Sequence, residues 1–247
     1  MMKLTVIGMW GGFPKAGGAS SGYLLESNHS KLLLDCGSAV LSRLLEICNP
    51  FELDGVAISH YHADHFCDLA VLQQAYYVFG LRAAKIKPLP IFGHANAAEF
   101  QSLTYRNGSV TQGYAYQPGE PFQIGDFTLT PVHTVHPLEC YGFRICAEGK
   151  SLFLTADGAY GPHLLAAADQ VDLLLCESNF THAEAEYAKN LHMTAIQAGN
   201  FASEVGAKRL LLTHLNPLSS NAQILLEAKS RYQGPTELAY CGQTVEF

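Results

Sequence analysis

The chain opens with short apolar runs that alternate with turn-forming residues, a pattern typical of a sheet rather than of long helices. Runs of four to eight apolar residues bounded by glycine, asparagine or serine predict buried strands. In the first quarter of the chain, strands are predicted at KLTVIG (3–8), GYLLE (22–26), KLLLD (31–35) and GVAIS (55–59). The stretch SAVLSRLLEI (38–47) has helical spacing, and Ser38 is its predicted N-cap.

The rest of the chain predicts a group of strands followed by alternating strands and helices. After residue 59 the predicted elements are, in order, a helix to about Phe79, a strand at 90–92, a weak helix near 96–104, strands at 112–117, 127–133, 141–148, 151–156 and 171–177, a helix at 194–205, a strand at 209–214, a helix at 220–232 and a strand near 238–240. Strands and helices occur in both halves, which predicts an α+β fold of one domain over residues 1–247. Two sheets are expected to pack together with helices outside.

The composition of the chain bears on whether it binds nucleic acid, an anionic substrate or a membrane. Hydrophobic residues make up 48% of the 247 residues, enough for a sizeable core, and the net charge is −7. Extended nucleic-acid binding is therefore not expected, and an anionic substrate would have to be held locally, by metals or a few cations. No apolar run approaches the roughly 18 residues of a membrane helix, so no membrane partner is expected.

The cysteines and the start of the chain bear on the compartment. The seven cysteines are an odd number without a C-x-x-C pair, and most stand in apolar runs. We therefore predict reduced, mostly buried thiols and a cytoplasmic location. The opening MMKLTVIGMWGG breaks at glycines and predicts a first strand rather than a signal peptide.

One ten-residue stretch, SHYHADHFCD (59–68), concentrates metal-binding residue types at the predicted junction between a strand and a helix. His60 and His62 are two apart and would share a face, while Asp64 and His65 begin the helix. Imidazole suits zinc and related metals, and a carboxylate adds an oxygen ligand. Asp64 alone would be an ordinary helix N-cap. Four candidate ligands exceed what one ion with an open position needs, so a site for two ions is predicted.

Further ligands are expected at the ends of later strands. Asp157 ends LFLTAD and is followed by Gly158, and His214 ends LLLTH. His133 and His136 are an odd number of residues apart, so strand alternation would turn only one of them toward the metals. The expected ligand is His136. Each of these residues alone would be an ordinary strand-end or turn residue.

Together these motifs resemble the metallo-β-lactamase superfamily, and the resemblance extends over essentially the whole chain. It implies an αββα sandwich of two facing mixed sheets with the metals at one edge. It also implies two divalent ions that activate a water molecule. Zinc is the expected metal, and manganese or iron are the alternatives. The implied ligands are His60, His62 and His136 for one ion, Asp64, His65 and His214 for the other, and Asp157 between them. Asp64 counts among the catalytic groups as well.

Three stretches indicate a branch of the superfamily. TVHPLECYGFRI (134–145), CESNF (176–180) and LHMTAIQAGNFA (191–202) resemble the ribonuclease Z and phosphodiesterase branch. That resemblance implies that His192 assists the leaving group and that Glu177 orients His192. Thr194 and Gln197 are predicted to form a capping box at the start of the helix.

The chain also departs from ribonuclease Z. Its glycine-rich opening lacks the Arg-Asn pair of many tRNA-processing members, and only nineteen residues separate Asp157 from Glu177, too few for the arm that holds tRNA. A small phosphodiester, such as a cyclic nucleotide, is therefore the expected substrate. The alternatives are hydrolysis of a carbon ester, lactone or thioester, RNA processing, and a metal-binding scaffold without catalysis.

Two further groups are candidates for substrate contact. Ser20 and Ser21 stand in the glycine-rich opening, where loop flexibility is an equal explanation. Arg82, Lys85 and Lys87 stand at the end of a helical stretch (69–87) whose earlier part is aromatic, and this stretch is a candidate for the substrate mouth or for a homodimer contact. Core packing is the alternative role of its aromatic residues.

Overall fold

Two seven-stranded sheets form the framework of the protein. The computed structural model describes residues 1–83 and 86–247. The first sheet holds six strands from the first half of the chain, β1 (Lys3–Gly8), β2 (Gly22–Glu26), β3 (Lys31–Leu34), β4 (Gly55–Ala57), β5 (Leu89–Gly93) and β6 (Thr111–Ala115). The second sheet holds β7 (Phe122–Ile124), β8 (Phe127–His133), β9 (Tyr141–Ala147), β10 (Lys150–Leu154), β11 (Leu173–Glu177), β12 (Leu210–Thr213) and β13 (Thr236–Leu238). The last strand, β14 (Thr244–Glu246), returns to the first sheet beside β1.

Both sheets join an antiparallel half to a parallel half. In the first sheet β1, β2 and β3 pair antiparallel, and β3 to β6 pair parallel. In the second sheet β7 to β10 pair antiparallel, and β10 to β13 pair parallel. Parallel neighbours end at the same edge of a sheet, so the loops after β3, β4, β10, β11 and β12 can meet there. In open α/β sheets this is where ligands bind.

Helices cover the outer faces of the sheets. They are α1 (Val40–Leu44), α2 (Ala63–Phe66), α3 (Leu69–Gly80), α4 (Ala185–Ala188), α5 (Ala195–Glu204) and α6 (Asn221–Lys229), with short 3₁₀ helices at Pro50–Glu52, Ala98–Leu103, Pro162–Leu164 and His182–Glu184. The residues of α5 begin after a capping box between Thr194 and Gln197, as predicted.

The leucines of β2 show how the layers are held. Successive side chains of a strand point to opposite faces. Leu25 therefore belongs to the core cluster that contains Phe143 and Phe153, while Leu24 belongs to the other cluster, which contains Leu72 of α3. A strand that is apolar on both faces is what a covered sheet requires. The predicted sandwich of two mixed sheets with helices outside is confirmed.

The start of the first helix differs from the prediction. The helix begins at Val40, after Ala39, whose backbone is left-handed (φ 66°), so Ser38 is not its N-cap. A residue from elsewhere supplies the cap: the Leu41 amide donates to Asp68 Oδ2 at 2.9 Å. A tertiary contact has replaced the local cap, and the helix ends at Leu44 rather than near residue 47.

Two strands were not predicted, and the helix after the histidine-rich stretch ends near one of its two predicted boundaries. The strands β7 and β14 have three residues each and lie at sheet edges, so neither carries a long apolar run. The helix α3 ends at Gly80, which confirms the predicted end near Phe79, and it does not include the whole stretch 69–87 that was considered for substrate or dimer contact. Arg82 and Lys87 are exposed beyond its end, and Lys85 lies outside the described residues.

The cysteines follow the prediction in part. All seven are free thiols; four are buried, Cys241 is half-buried, and Cys67 and Cys146 are exposed. Among the described residues, no helix has the length and apolarity that a membrane crossing requires.

Candidate metal centre

The histidine-rich stretch lies just beyond β4 in the first sheet. Because β4 ends at Ala57, His60 and His62 stand on the loop that follows it rather than on the strand itself. His62 directly precedes α2, and its carbonyl accepts from the His65 amide at 3.0 Å. The tight turn brings Asp64 and His65 back toward the end of the strand.

The first group of candidate ligands consists of three imidazoles and one carboxylate. Nε2 of His60 and Nε2 of His136 lie 3.0 and 3.1 Å from Nδ1 of His62. Oδ2 of Asp157 lies 3.7 Å from Nε2 of His60. The ligand atoms of all four residues lie within 4.8 Å of one another. The loop after β4 and the loops after β8 and β10 therefore meet at one point.

The second group lies beside the first and shares Asp157 with it. Nε2 of His214 is 3.2 Å from Oδ2 of Asp64 and 3.3 Å from Oδ2 of Asp157. Nε2 of His65 is 3.3 Å from Oδ1 of Asp157. The ligand atoms of these four residues also lie within 4.8 Å of one another. Asp157 thus stands between the two groups, where a bridging ligand would have to be.

The protonation of the first group suits a cation. Burial lowers the pKa of His60 well below its usual value, and neighbouring histidines lower it further. Burial likewise lowers the pKa values of His62 and His136. Each ring nitrogen of a neutral imidazole has either one proton or one lone pair. Nδ1 of His62 can therefore form a hydrogen bond with Nε2 of His60 or with Nε2 of His136, but not with both. A shared cation would satisfy their lone pairs, and imidazole with carboxylate is a donor set for zinc, manganese or iron.

The carboxylates of the centre are ionised. Burial opposes the charge on Asp64, but its hydrogen bond with His214 and the nearby His65 outweigh burial and lower its pKa strongly. The pKa of Asp157 is also held well below its usual value, because His214, His65 and His60 together outweigh its complete burial. Both side chains therefore offer negative oxygens to a cation at neutral pH.

Asp35 supports the centre and was not predicted as a functional residue. It follows β3, and its Oδ2 accepts from Nδ1 of His65 at 2.7 Å. Its carboxylate also accepts from the amide and the hydroxyl of Ser59 at 2.7 and 2.8 Å. A carboxylate on one ring nitrogen fixes the tautomer and leaves the other nitrogen for a metal. The signal in the sequence was an acidic residue that ends the buried run LLLD.

We expect Asp35→Asn to weaken metal binding by roughly 10–100-fold, because an amide no longer attracts the Nδ1 proton of His65. Competition with a chelator measures the affinity, and circular dichroism checks folding. The matched control is Asp169→Asn, since Asp169 is exposed. Unchanged affinity in a folded Asp35→Asn protein would mean that Asp35 only holds the Ser59 loop.

The backbone at the centre adopts unusual conformations. Asp35, Ala156 and His214 all have left-handed backbones, with φ values of 56°, 50° and 50°. Such conformations are costly for residues other than glycine and cluster at functional sites. A side chain on Gly11 would come within 2.6 Å of the His214 ring, so the glycine-rich opening packs directly on the centre. From the same opening, the Gly12 amide donates to Oδ2 of Asp64 at 2.6 Å.

His136 and His133 occupy different environments. The strand β8 ends at His133, which is exposed, and His136 lies three residues further, in the loop. Nδ1 of His136 bonds the carbonyl of Leu191 at 2.9 Å, which leaves Nε2 facing His62. The structure brings His136 into the first group, as predicted. The reason differs from the predicted one, because the loop after β8, and not the alternation of side chains along a strand, places His136 there.

We therefore expect His136→Ala to weaken binding of one ion and His133→Ala to leave both unchanged. Titration with zinc against a chromophoric chelator would show the difference, and the two variants are matched in residue type and neighbourhood. Weaker binding in His133→Ala alone would show that the loop is shifted in register.

His192 and Glu177 form a pair at the border of the second group. Nδ1 of His192 lies 3.1 Å from Oε1 of Glu177, and its ring centre is 5.2 Å from that of His214. Oε1 of Glu177 also accepts from the Gly158 amide at 2.7 Å, and Oε2 accepts from the Met193 amide at 3.0 Å. Burial opposes the charge on His192, but Glu177 outweighs it and raises the pKa of His192 to about 9. The Glu177 carboxylate therefore favours the protonated form of His192.

The serines of the glycine-rich opening are not placed at the surface. Both are fully buried, with exposed fractions of 0% for Ser20 and 1% for Ser21. Oγ of Ser21 lies 3.4 Å from Nε2 of His65, beneath the candidate ligands. Direct contact of these hydroxyls with a phosphate is not supported.

Comparison with known proteins places this arrangement in context. A family model described as "Beta-lactamase superfamily domain" matches residues 30–215. The chain is 42% identical over 242 residues to the "Probable metallo-hydrolase YhfI" of Bacillus subtilis, with 98% of each chain covered. The crystal structure of that metallo-beta-lactamase fold protein matches with a TM-score of 0.95 at 41% identity, over 99% of this chain and 98% of the other.

A ribonuclease is also among the relatives. The chain is 26% identical over 307 residues to the "Ribonuclease Z" of Myxococcus xanthus, with 100% of this chain and 98% of the relative covered. The resemblance predicted from the sequence is confirmed by these matches. They extend over both sheets and both groups of candidate ligands.

Proposed function

The chain belongs to the beta-lactamase superfamily, whose family model matches residues 30–215, and from this membership we propose a two-metal phosphodiesterase that acts on a small anionic phosphodiester such as a cyclic nucleotide. The observation that carries the proposal is the His192–Glu177 pair beside the two ligand groups. Cleavage of a phosphodiester releases an alkoxide, and a charged histidine at this position is suited to neutralise it.

Seven residues would hold the two ions. His60, His62 and His136 would bind one, Asp64, His65 and His214 the other, and Asp157 both. When bound, a pair of divalent ions supplies Lewis acidity and a nucleophile at neutral pH. Zinc is the expected metal, with manganese or iron as alternatives that the same donors accept.

The protein's own groups divide the remaining work. His192 would carry the proton that the departing oxygen needs, and its ring lies 5.3 Å from the ring of His136. Glu177 is a positioning residue: the amides of Gly158 and Met193 fix its carboxylate, and the carboxylate in turn holds the ring of His192. Asp35 would hold His65 in the tautomer that leaves Nε2 free.

The size of the substrate is inferred from the segment between Asp157 and Glu177. It contains one 3₁₀ helix, Pro162–Leu164, and then enters β11. Nothing in its nineteen residues extends far enough to grip a folded RNA, and the net charge of −7 disfavours a polyanion. These observations favour a small diester over the RNA substrate that the name of the Myxococcus relative indicates.

A panel of substrates tests the proposal. The purified protein is assayed, with zinc or manganese and after chelation, on bis(p-nitrophenyl) phosphate, a 3′,5′-cyclic nucleotide, a tRNA precursor, a lactone and a thioester. We expect metal-dependent hydrolysis of the two small phosphodiesters and none of the tRNA precursor. Lactone or thioester turnover without phosphodiester turnover would replace this function by hydrolysis at carbon.

A further inference from the structure

A cavity lies on the side of β5 and is lined partly by residues of the loops that carry the candidate ligands. Its volume is about 150 Å³. It shares its walls with the loops that carry the candidate ligands, because Tyr61 stands between His60 and His62, and Leu138 follows His136 by two residues. Tyr61 is bonded directly to His60 and His62, so the main chain of one loop contributes both to the cavity wall and to the first ligand group. The mechanism proposed above leaves this cavity unused.

The residue at the back of the cavity is His94, which directly follows β5. It is only 4% exposed, and neither ring nitrogen makes a hydrogen bond of normal geometry with a described residue, although the main chain of Glu139 lies close enough to raise its pKa. Buried polar groups are paired in the great majority of cases, so an unpaired imidazole in a cavity wall indicates a ligand. Burial keeps its pKa below the usual value despite the nearby Glu139. A neutral imidazole offers one donor and one acceptor.

Two carboxylates, those of Glu99 and Glu139, line the cavity. Oε1 of Glu139 accepts from Nδ2 of Asn96 at 2.7 Å and from the hydroxyl of Tyr141. Both of these bonds go to Oε1, so Oε2 can accept from a ligand. Two carboxylates repel phosphate and attract N–H groups. The moiety that fits here is therefore uncharged or cationic, and it presents nitrogen-bound hydrogens.

One aromatic ring and two apolar side chains, of Tyr61, Ala97 and Leu138, complete the lining. The ring of Tyr61 is 8% exposed, and its centre lies 4.6 Å from that of His94. Leu138 also lines the cavity and is 43% exposed. Aromatic and apolar walls of this kind hold planar heterocycles by stacking, with hydrogen bonds at the edge of the ring.

We propose that this cavity holds the base of a nucleotide substrate and selects bases that carry an exocyclic amino group. This inference rests on the proposed phosphodiesterase function and names its substrate class. Adenine, guanine and cytosine present amino hydrogens to Glu139 and Glu99. In uracil and thymine the ring N–H is flanked by two carbonyl oxygens, which the carboxylates repel. His94 pairs with the remaining polar atoms of the base edge.

Two variants and two matched controls test the base subsite by kinetics. Glu139→Gln and His94→Leu are compared with Glu120→Gln and His29→Leu, whose side chains are exposed elsewhere. In Glu139→Gln we expect the KM for cyclic AMP to rise about tenfold, since a charged acceptor is lost. Its kcat, and its activity on bis(p-nitrophenyl) phosphate, should stay unchanged. The unmodified protein should turn over cyclic AMP with a lower KM than cyclic UMP. Equal KM values for the two nucleotides, or equal losses on both kinds of substrate, would overturn the proposal.

A binding measurement separates this proposal from the proposed function. Calorimetry with adenosine and with uridine requires neither a phosphodiester nor turnover. Adenosine binding that weakens in Glu139→Gln and in His94→Leu would support the subsite, even if the protein hydrolysed no phosphodiester. If adenosine binds no better than uridine, or binds all the variants alike, the subsite is wrong, whatever the activity.

Discussion

Replacing His192 by alanine will lower the hydrolysis of alkyl phosphodiesters by roughly 10²–10⁴-fold and leave the metal content unchanged. An alkoxide leaves poorly without a proton, and His192 is the histidine that the Glu177 carboxylate keeps charged beside the centre. It belongs to neither of the two groups that contain Asp157, so its removal should not release an ion. Steady-state kinetics and elemental analysis of the same preparation measure both effects.

The leaving group provides the internal control. Nitrophenolate departs without a proton donor, so His192→Ala should retain far more activity on bis(p-nitrophenyl) phosphate than on alkyl diesters. His163→Ala serves as the matched variant, because His163 is exposed. Equal losses on both substrates would indicate that His192 binds phosphate instead of donating a proton. Full activity on both would remove it from the mechanism and favour hydrolysis at carbon.

Replacing Asp157 by alanine should cost at least one ion and more activity than the roughly 10–100-fold typical of outer-shell changes. Among the described residues, Asp157 alone belongs to both ligand groups of the centre. Its carboxylate lies within 4.0 Å of ring nitrogens from His60, His65, His136 and His214. Its loss would leave four histidines without a shared negative partner.

Metal content, activity and circular dichroism of Asp157→Ala are compared with those of Asp169→Ala, whose side chain is exposed. Retention of both ions with full activity would show that Asp157 does not bridge. A variant that loses both ions but keeps the circular dichroism spectrum of a folded protein would still agree with a bridging role, since each ion depends on the shared carboxylate.

The sequence was most informative where one local pattern decides the structure. The strands β1, β2 and β8 coincide with their predicted ranges, because apolar runs between turn residues leave little choice of register. The seven proposed ligands could be named because metal sites accept few residue types, and the histidine spacing restricts them further. The structure brings all seven into two adjoining groups.

The features that were missed depend on contacts distant in sequence. The start of α1 is set by Asp68, 27 residues from the amide it caps, so local capping preferences could not locate it. Asp35 acquires its role only because β3 and β4 lie side by side, which places its carboxylate against His65. His94 has no neighbouring motif, and its significance lies in the absence of a hydrogen bond of normal geometry within the described part of the chain.

Anomalous diffraction at the zinc edge, from crystals of the zinc-loaded protein, tests the central claim most directly. We predict two peaks roughly 3.5–4 Å apart on either side of the Asp157 carboxylate. One peak should lie among His60, His62 and His136, and the other among Asp64, His65 and His214. A single peak, or two peaks away from Asp157, would contradict the two-metal centre on which the proposed hydrolysis depends.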